Sequence, residues 1–532
     1  MTRRLFISSL LFSFFTMAVC SMPARRDARL VTQPDGSVIT VYAHGDEHFH
    51  WLTDSDGRWL EEGSDGYFRE VPALTQEQIA SRRKASPYRS PEAVATAIPL
   101  NLAPRGLVIL AEFPDVKFTT PRDTVDTMLI GYNFTRDYAF TYNNREYNVH
   151  SSGSARQYFL ACSNGQYEPQ FDIIGPVTVS QNMEYYGSNE GGRDKNVIEL
   201  IKEACVLANA KGVDFSLYDN DNDGNVDFVY VIYAGFGEAD GGPANTIWPH
   251  KHEISKSKTI TLNGKAIYMY ACGNEMNFYS KLYFGIGQFV HEFGHVLGLP
   301  DIYSTSSGNY KTLGEWDIMD YGPYSNDGNT PPAYSAYERF FCGWTTPRVL
   351  TDPENVVLNE LGSSNEVLLL TEDGTHNLIG NNPFPLTFYT LENRQQTGWY
   401  TYCPGHGLLI TRISYDYNRW RGNVVNTSST NLGIDIMEAD GLAPSYPDYD
   451  WYGKATDAFP AGATEFRQVT GSPLTDIKET NGIISFRFKG GTVTDINDVQ
   501  QPEVTEKKIE NGQVFIYRNG YKYNLLGTII TQ

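Results

Sequence analysis

The stretch that decides the fold of this chain is His291-Glu292-Phe293-Gly294-His295-Val296-Leu297-Gly298-Leu299-Pro300-Asp301. Its two histidines are four residues apart, so a helix places both imidazoles on one face, about one turn from each other. That spacing suits two ligands of a tetrahedral zinc ion. Glu292 directly follows the first histidine and can reach a zinc-bound water as general base. The largely apolar run from Tyr283 to Val290 is typical of a helix buried beside a cleft.

The residues after the second histidine predict the third zinc ligand. Gly298 ends the helix and Pro300 prevents it from resuming, so the chain can turn back and present Asp301. A fourth position then stays open for water, as a catalytic zinc site requires. Glu338 is the alternative third ligand, because a glutamate on a later helix binds zinc in sites of the thermolysin type. The glycine favours Asp301, since an uninterrupted helix would not need it.

A second motif follows at Trp316-Asp317-Ile318-Met319-Asp320-Tyr321-Gly322. A methionine in a tight turn after this kind of zinc helix resembles the Met-turn of the metzincins. We therefore expect Met319 to lie beneath the metal. Tyr321 is a candidate to approach the metal and to help hold the tetrahedral oxyanion. The alternative is that both are ordinary core residues of a turn.

Length and charge limit the possible classes of protein. A chain of 532 residues is too long for one ordinary domain, and three or four are expected. The hydrophobic content of 41% is enough for real cores. A formal net charge of −21 argues against nucleic acid or anionic membranes as partners. Beyond the N-terminal run, no segment approaches 18 uncharged apolar residues, so no integral membrane span is expected.

The N-terminus predicts export. Residues 1–20 resemble a signal peptide, with two arginines followed by an apolar stretch from Leu5 to Val19. The protein is therefore expected to be secreted or displayed at the cell surface. Cys20 could instead carry a lipid, but Val19 is a poor residue before such a cleavage site, which favours plain secretion. The five later cysteines are too few, and odd in number, for a disulfide framework, although one or two bridges are possible.

Residues 21–100 suggest a propeptide ahead of the catalytic domain. Strand-like sequence with turns runs from Val31 to Tyr67, and a helix over Ala73 to Lys84 ends in a basic patch before an exposed linker. The alternative is a permanent accessory domain. No cysteine occurs in residues 21–161, so a cysteine cannot silence the zinc in a precursor. Our hypothesis is that Asp46 or a nearby side chain between His44 and His50 silences it, although an ordinary surface turn is the favoured interpretation.

The remaining chain divides into three regions. Residues 101–345 alternate strands and helices, which predicts an α/β (α+β) catalytic domain. Residues 346–490 contain short strands separated by turns, as in a β-sandwich-like domain. Residues 491–532 predict a polar linker and a short β tail with hairpin turns at Asn511-Gly512 and Asn519-Gly520, a possible sorting element.

An acidic loop precedes one of the predicted strands and predicts a calcium site. It carries oxygen-bearing side chains at every second position with glycine at the sixth, as in the first nine positions of an EF-hand loop. The twelfth position is Tyr230 rather than glutamate, so the loop is not an EF-hand. A loop of Asx turns without metal is the alternative. The candidate calcium ligands are Asp219, Asp221, Asp223, Asn225 and Asp227.

These separated motifs together resemble the M6 metalloprotease family, the immune inhibitor A-like peptidases. The resemblance covers roughly residues 105–490. The matching pieces are Val108 to Asp115, Gly153 to Phe159, Asp219 to Gly242, Trp248-Pro249-His250, Gly285 to Tyr303, Leu313 to Gly322, Leu391-Glu392-Asn393-Arg394, Pro404 to Ile410 and Glu438-Ala439-Asp440-Gly441.

The resemblance implies a secreted zinc endopeptidase with a metzincin-like core, calcium sites and a following β-domain. It implies His291, His295 and Asp301 as zinc ligands and Glu292 as general base. The tail is similar to short C-terminal elements of some exported Gram-negative proteins, which implies contact with secretion machinery or surface display.

We therefore expect hydrolysis of protein or peptide substrates by a zinc-activated water. One alternative is a surface adhesin or glycan-binding protein on a retired protease scaffold, using aromatic stretches such as Trp399-Tyr400-Thr401-Tyr402. The intact ligands and base argue against it, because retired enzymes usually lose one. A second alternative is a zinc hydrolase acting on a non-peptide bond, which the zinc motif alone does not exclude.

Overall fold

The computed structural model describes residues 20–46, 49–63, 65–75, 78–79, 103–189, 193–255, 257–305, 310–442, 453–492, 506–510, 513–518, 521–523 and 529–531. Three predictions lie outside these residues or nearly so: the apolar run of the signal peptide, the helix ending in the basic patch at residues 82–84, and the linker at 495–505.

The N-terminal region is built from strands, as its turn-rich sequence predicts. β2 to β6 form an antiparallel meander in chain order, and β1 leaves it to join the central sheet. Glycines with positive φ, such as Gly36 and Gly57, form the tight turns between these strands. The strands are β1 (Cys20–Ser21), β2 (Arg29–Thr32), β3 (Val38–Asp46), β4 (Phe49–Thr53), β5 (Trp59–Glu62) and β6 (Phe68–Glu70).

The region that the sequence predicts to be catalytic, called the catalytic region below, alternates strands and helices along the chain. Its elements are β7 (Arg105–Glu112), α1 (Arg122–Ile130), β8 (Thr135–Tyr142), β9 (Arg145–Ser152), α2 (Ala155–Cys162), β10 (Gln170–Thr178), α3 (Met183–Gly187), α4 (Val197–Ala210), β11 (Asn225–Val226), β12 (Val229–Phe236), β13 (His250–Glu253), β14 (Ile260–Leu262), β15 (Lys265–Ile267), β16 (Met269–Met276), α5 (Gly287–Val296) and α6 (Ala336–Phe341).

The C-terminal region consists mainly of strands. Its elements are β17 (Arg348–Val349), β18 (Glu354–Leu358), α7 (Leu361–Ser364), β19 (Leu368–Leu370), β20 (Thr387–Arg394), β21 (Gly407–Ser414), α8 (Tyr417–Arg421), β22 (Ile434–Ile436), β23 (Leu474–Thr480), β24 (Ile483–Phe488), β25 (Glu506–Glu510), β26 (Gln513–Arg518), β27 (Tyr521–Tyr523) and β28 (Ile529–Thr531). Short 3-10 helices lie at Phe215–Tyr218, Gly314–Trp316, Gly322–Gly328, Gly398–Tyr400 and Ala455–Asp457.

The central sheet has six strands in the order β1-β13-β16-β12-β7-β10. The pairs among β10, β7, β12 and β16 are parallel, whereas β13 runs antiparallel to β16 and β1 antiparallel to β13. Side chains on β7 alternate between the faces: Leu107 and Ile109 pack in the cluster that contains α4, and Val108 and Leu110 in the cluster that contains α5. Helices thus cover both faces, which explains why these strands are almost continuously apolar.

The helix predicted from the apolar run before His291 begins later than that run suggests. Helix α5 starts at Gly287, not at Tyr283. A Cβ on Gly285 would lie 2.1 Å from the carbonyl oxygen of Gly328, and one on Gly287 would lie 2.1 Å from that of Pro323. The backbone at Gly285 and Gly287 therefore lies close to that of residues 323–328. The residues of the run before Gly287 form a connecting segment instead of helix.

The C-terminal sheets share one core with the catalytic region. A five-stranded sheet runs β17-β19-β20-β21-β22, and a three-stranded sheet runs β18-β24-β23. Leu368 and Leu370 of β19 pack in a cluster with Ile484 and Phe486 of the smaller sheet, whereas Leu369 packs in the cluster that contains α5. The larger sheet is therefore buried on both faces, one against the second sheet and one against the catalytic region.

The tail forms the predicted hairpins. β25 to β28 pair antiparallel in chain order, and the two predicted Asn-Gly turns lie outside the described residues, between strands that pair. Five cysteines are buried free thiols: Cys162, Cys205, Cys272, Cys342 and Cys403. Within the described part of the chain, no helix is both long and apolar enough to cross a membrane.

Candidate metal centre

Helix α5 carries the histidine pair and ends where the sequence predicts. All ten of its residues are buried. Gly298 adopts φ +95°, and its N–H donates to the carbonyl of His295 while that of Leu299 donates to the carbonyl of Gly294. This is the Schellman pattern, in which a glycine takes the left-handed conformation at almost no steric cost. The turn reverses the chain and brings Asp301 back to the helix.

The structure brings the three predicted zinc ligands to one point. Asp301 Oδ1 lies 3.3 Å from His291 Nε2 and 3.2 Å from His295 Nε2, and all three side chains are fully buried. Zinc bonds of about 2.0–2.2 Å at tetrahedral angles put neighbouring ligand atoms about 3.3 Å apart. His295 Nε2 and Asp301 Oδ1 face each other without hydrogen-bond geometry, so both buried atoms remain available to a cation. The donor set and its spacing fit zinc.

Backbone carbonyls orient the two imidazoles. His291 Nδ1 lies 2.7 Å from the oxygen of Ile318, and His295 Nδ1 lies 2.8 Å from that of Leu299. Each Nδ1 therefore carries the proton and donates, which leaves Nε2 as the coordinating atom. Burial lowers the pKa of His295, although the adjacent Asp301 carboxylate opposes the shift.

Asn423 holds the third ligand from a distant part of the chain. Its Nδ2 donates to Asp301 Oδ2, and its Oδ1 accepts from the Asp301 backbone N–H at 2.7 Å. Burial acts to raise the pKa of Asp301, but the two neighbouring histidines outweigh it and lower that pKa below its usual range. Asn423 follows α8 in the C-terminal region, so the site is completed by residues outside the catalytic region. No local sequence signal identifies this residue as part of the site.

Met319 packs against helix α5, the zinc helix, at Gly294, which lies between the two histidines in sequence. A Cβ on Gly294 would lie 2.6 Å from Met319 Sδ, so only glycine leaves room for the sulfur. The Met319 carbonyl accepts from the Ile302 N–H at 2.8 Å, next to the third ligand. The same turn thus supports the helix, orients His291 through Ile318, and holds the segment that carries Asp301.

Glu292 directly follows His291 on helix α5, which packs beside the central sheet. It is fully buried. Burial raises the pKa of Tyr230 and of Cys272, and the negative charge of Glu292 adds to both shifts. Tyr230 lies on β12 and Cys272 on β16, so both of these neighbours belong to the central sheet.

Tyr321 is buried against the N-terminal segment. It belongs to an aromatic cluster with Tyr303, Phe284 and Met22, and the guanidinium of Arg26 lies 5.2 Å from its ring centroid. Burial raises the pKa of Tyr321 to about 12, and the nearby Arg26 opposes the shift. Sequence reasoning did not predict this contact with Arg26.

Glu338, the alternative third ligand, serves another role in this structure. It is the N3 residue of a capping box on α6, where its Oε2 accepts from the Ser335 N–H at 2.6 Å. Burial raises its pKa well above the usual range, and the neighbouring Asp317 carboxyl adds to the shift. Among the described residues, the group that could hold a metal with the two histidines contains Asp301 and not Glu338.

Asp46 is buried rather than exposed on a surface turn. It is the last residue of β3, is fully buried, and accepts a hydrogen bond from the Phe49 N–H at 3.2 Å. The surface-turn interpretation is therefore wrong, because the hairpin that carries Asp46 faces the catalytic region.

The acidic loop gathers four of its five predicted ligands. Carboxylate oxygens of Asp219, Asp221, Asp223 and Asp227 lie within 4.8 Å of one another. The fifth, Asn225, donates its amide to Asp223 at 2.8 Å. Burial raises the pKa of Asp227 to about 7, despite hydrogen bonds from Asn220 that lower it. A salt bridge from Lys265 to Asp219 neutralises part of the negative charge.

Comparisons with known proteins agree with this geometry. The family model for the immune inhibitor A peptidase M6 catalytic domain matches residues 102–345. The pre-pro-metalloprotease PrtV of Vibrio cholerae serotype O1 is 26% identical over 314 residues, which is 51% of this chain and 33% of that protein. Immune inhibitor A of Bacillus thuringiensis subsp. alesti is 25% identical over 272 residues, 44% of this chain and 39% of that protein.

The matches to these two curated relatives thus cover well under half of either relative's length. The segment matched by the family model contains helix α5, the turn that follows it and five of the six strands of the central sheet. Residues 102–345 thus match the immune inhibitor A peptidase M6 family, and over part of its length the chain is similar to metalloproteases of that family.

Proposed function

We propose that this chain is an exported zinc endopeptidase that hydrolyses peptide bonds in protein substrates. The observation that carries the proposal is the convergence of His291, His295 and Asp301 at zinc-like spacing, with Glu292 on the same helix. A bound zinc ion supplies Lewis acidity, which polarises a peptide carbonyl and makes water more acidic.

The chain's own residues move the proton. Glu292 accepts the proton of the attacking water and delivers it to the leaving nitrogen. Its burial keeps the carboxylate away from bulk water, which strengthens its electrostatic effect. Tyr321 is our candidate to stabilise the oxyanion. Because Arg26 lies over its ring, that role begins only after the N-terminal segment has moved away.

We further propose that calcium binds the acidic loop. Four carboxylates within 4.8 Å of one another repel unless a cation neutralises them, and calcium takes oxygen ligands of this kind. The loop leads into β12, a central strand, so a cation that fixes the loop also fixes the start of a strand on which the sheet depends.

We also propose a division of the chain into five regions. Residues 1–20 form a signal peptide, 21–100 a propeptide, 101–345 the catalytic domain and 346–490 a β-sandwich-like domain, and 491–532 carry a linker and sorting element. Asp46 is our candidate for silencing the metal in the precursor. An adhesin on a retired protease scaffold is the less favoured alternative, because the ligand set and Glu292 are intact.

The decisive test is Glu292→Gln in the full chain. We expect the variant to retain one zinc ion per chain while kcat/KM on a protein-derived peptide mixture falls about 10²–10⁴-fold, because the ligands stay and the base is lost. Zinc is measured by elemental analysis and cleavage by mass spectrometry. Full activity in the variant would refute the assignment.

The same assay separates the two candidate third ligands. Asp301→Asn should lose zinc, whereas Glu338→Gln should retain it, since Glu338 caps α6. Zinc retained by the first and lost by the second would reverse this assignment.

A further inference from the structure

The N-terminal segment enters the catalytic region as an added strand. Cys20 pairs with Lys251 and Ser21 with His250, antiparallel to β13 at the edge of the central sheet. Proteins bind extended peptides in this way, because the free hydrogen-bonding groups of an edge strand recruit a further strand. The segment therefore lies as a bound peptide would.

After this strand, the segment runs past the metal centre. Met22 is fully buried against Tyr303 and Tyr321, and Tyr303 is two residues from Asp301. Two side chains of the catalytic region fix the backbone of the segment: the Trp248 indole donates to the Met22 carbonyl at 3.1 Å, and the Tyr324 hydroxyl donates to the Pro23 carbonyl at 2.7 Å.

Three residues further on, Arg25 fills an acidic pocket lined by aromatic rings. Its Nη1 lies 3.3 Å from Asp240 Oδ1 and 3.3 Å from Asp327 Oδ1, and its guanidinium carbon lies 4.0 Å from the centroid of the Tyr279 ring. The residue is only 9% exposed. A planar cation between two carboxylates and an aromatic face is the arrangement that favours arginine over lysine.

Donors from the catalytic region hold the pocket in shape independently of Arg25. Asp240 Oδ2 accepts from the Phe278 N–H at 2.7 Å. Asp327 accepts from Asn277 Nδ2 at 2.8 Å and from the Tyr138 hydroxyl at 2.7 Å. Burial raises the pKa of Asp240 to about 7, although Arg25 lowers it. The pocket is thus a preformed site for a cation.

We propose that Asp240, Asp327 and Tyr279 form a specificity subsite of the substrate cleft that receives an arginine side chain of an extended peptide bound along β13. Arg25 occupies this subsite in the full chain. The subsite lies three residues along the peptide from the position that Met22 takes beside Tyr303. This inference rests on the proposed peptidase function, since a subsite requires a substrate.

The test uses two fluorescein-labelled peptides, one copying Ser21 to Arg29 and one with alanine at the position of Arg25. The receptor is the full chain carrying Arg25→Ala and Glu292→Gln, in which the probe is not cleaved and competes for the cleft with a resident segment that has lost its arginine. We expect the arginine peptide to bind at least about tenfold more tightly by fluorescence anisotropy, as loss of a charged hydrogen bond predicts. Adding Asp240→Asn should remove the difference, and adding the exposed control Asp56→Asn should not.

A cleavage profile supplies the second readout. Once its N-terminal segment has been released, the chain should cut a peptide library with arginine enriched at one fixed distance from the cut bond, and Asp240→Asn should erase that enrichment while cleavage continues. Equal binding of both peptides, or cleavage without arginine preference, overturns the subsite and leaves the peptidase function intact. Arginine-dependent binding with no hydrolysis by the zinc-loaded chain overturns the peptidase function and the subsite role together.

Discussion

At the scale of single residues, the metal centre depends on side chains that bind no metal. Asn423 contacts both the carboxylate and the backbone N–H of Asp301. The carbonyls of Ile318 and Leu299 direct the two imidazoles. Such outer partners fix the orientation of ligands before the metal arrives, and their loss weakens binding even though the ligands remain.

We predict that Asn423→Ala weakens zinc binding about 10–100-fold, because Asp301 then loses the amide that fixes its orientation. The measurement is a zinc titration against a competing chelator. Asn431→Ala removes an exposed asparagine from the same region and is the matched control. Equal zinc affinity of wild type and Asn423→Ala would show that Asp301 is held adequately without the contact.

At the scale of elements, the zinc helix and the Met-turn behave as one packed unit. The helix has glycine at position 294 because the sulfur of Met319 lies against it. The turn in exchange supplies the carbonyl that orients His291. The sequence pattern that predicts the helix is therefore local, but glycine at position 294 is required by packing against the Met-turn.

Gly294→Ala should lower the free energy of unfolding by about 1–3 kcal/mol, because the added methyl group overpacks the contact despite the better helix propensity of alanine. Urea-induced unfolding followed by near-ultraviolet circular dichroism measures the change. Gly362→Ala in α7 is the matched control, since its Cβ would meet only a flexible carboxylate oxygen at 3.3 Å and ring carbons at 3.4 Å or more. A Gly294→Ala chain as stable as wild type would contradict the tight contact seen here.

The acidic loop makes a second prediction at this scale. Calcium added at a hundred times its Kd should stabilise the folded chain by about 2.7 kcal/mol, because it binds the folded loop. Thermal unfolding with and without calcium measures the effect. Asp223→Asn, which changes a predicted ligand, should reduce it strongly, whereas Asp123→Asn on α1 should leave it unchanged. Equal stabilisation of Asp223→Asn and wild type would exclude the loop as the site.

At the scale of the whole molecule, the catalytic and C-terminal regions are joined by buried polar contacts as well as by a shared core. Lys311 Nζ lies 2.8 and 2.7 Å from the two carboxylate oxygens of Asp457, and both residues are buried. The Arg394 guanidinium donates to the Trp316 carbonyl at 2.8 Å, next to the Met-turn. The two regions are therefore expected to unfold together.

Lys311→Ala should cost about 3–5 kcal/mol, because it leaves the buried Asp457 carboxylate without its cation. Thermal unfolding followed by tryptophan fluorescence measures the loss. Arg467→Ala removes an exposed ion pair with Glu465 and should leave the stability almost unchanged, because solvent screens that pair. A small effect of Lys311→Ala, similar to that of the control, would mean that the two regions do not depend on this contact.

The sequence alone determined the features that arise from neighbouring residues. Two histidines four residues apart, a helix-ending glycine and an aspartate make a metal site whose parts lie within one turn and one bend of the chain. The sequence likewise predicts the strands β7 and β12 and the C-terminal hairpins, because hydrophobic runs and turn residues are local signals. These signals identified the fold class, the histidine pair and its candidate third ligand.

Only the tertiary structure decided which distant residues meet. Asn423 reaches Asp301 across 122 positions, and Arg25 reaches Asp327 across 302. Neither residue belongs to a periodic or spaced pattern, because each contact results from packing of whole elements rather than from the conformation of its own segment. The burial of one C-terminal sheet on both faces has the same origin: alternating leucines on β19 indicate two apolar faces, but only the packed molecule shows that the catalytic region covers one of them.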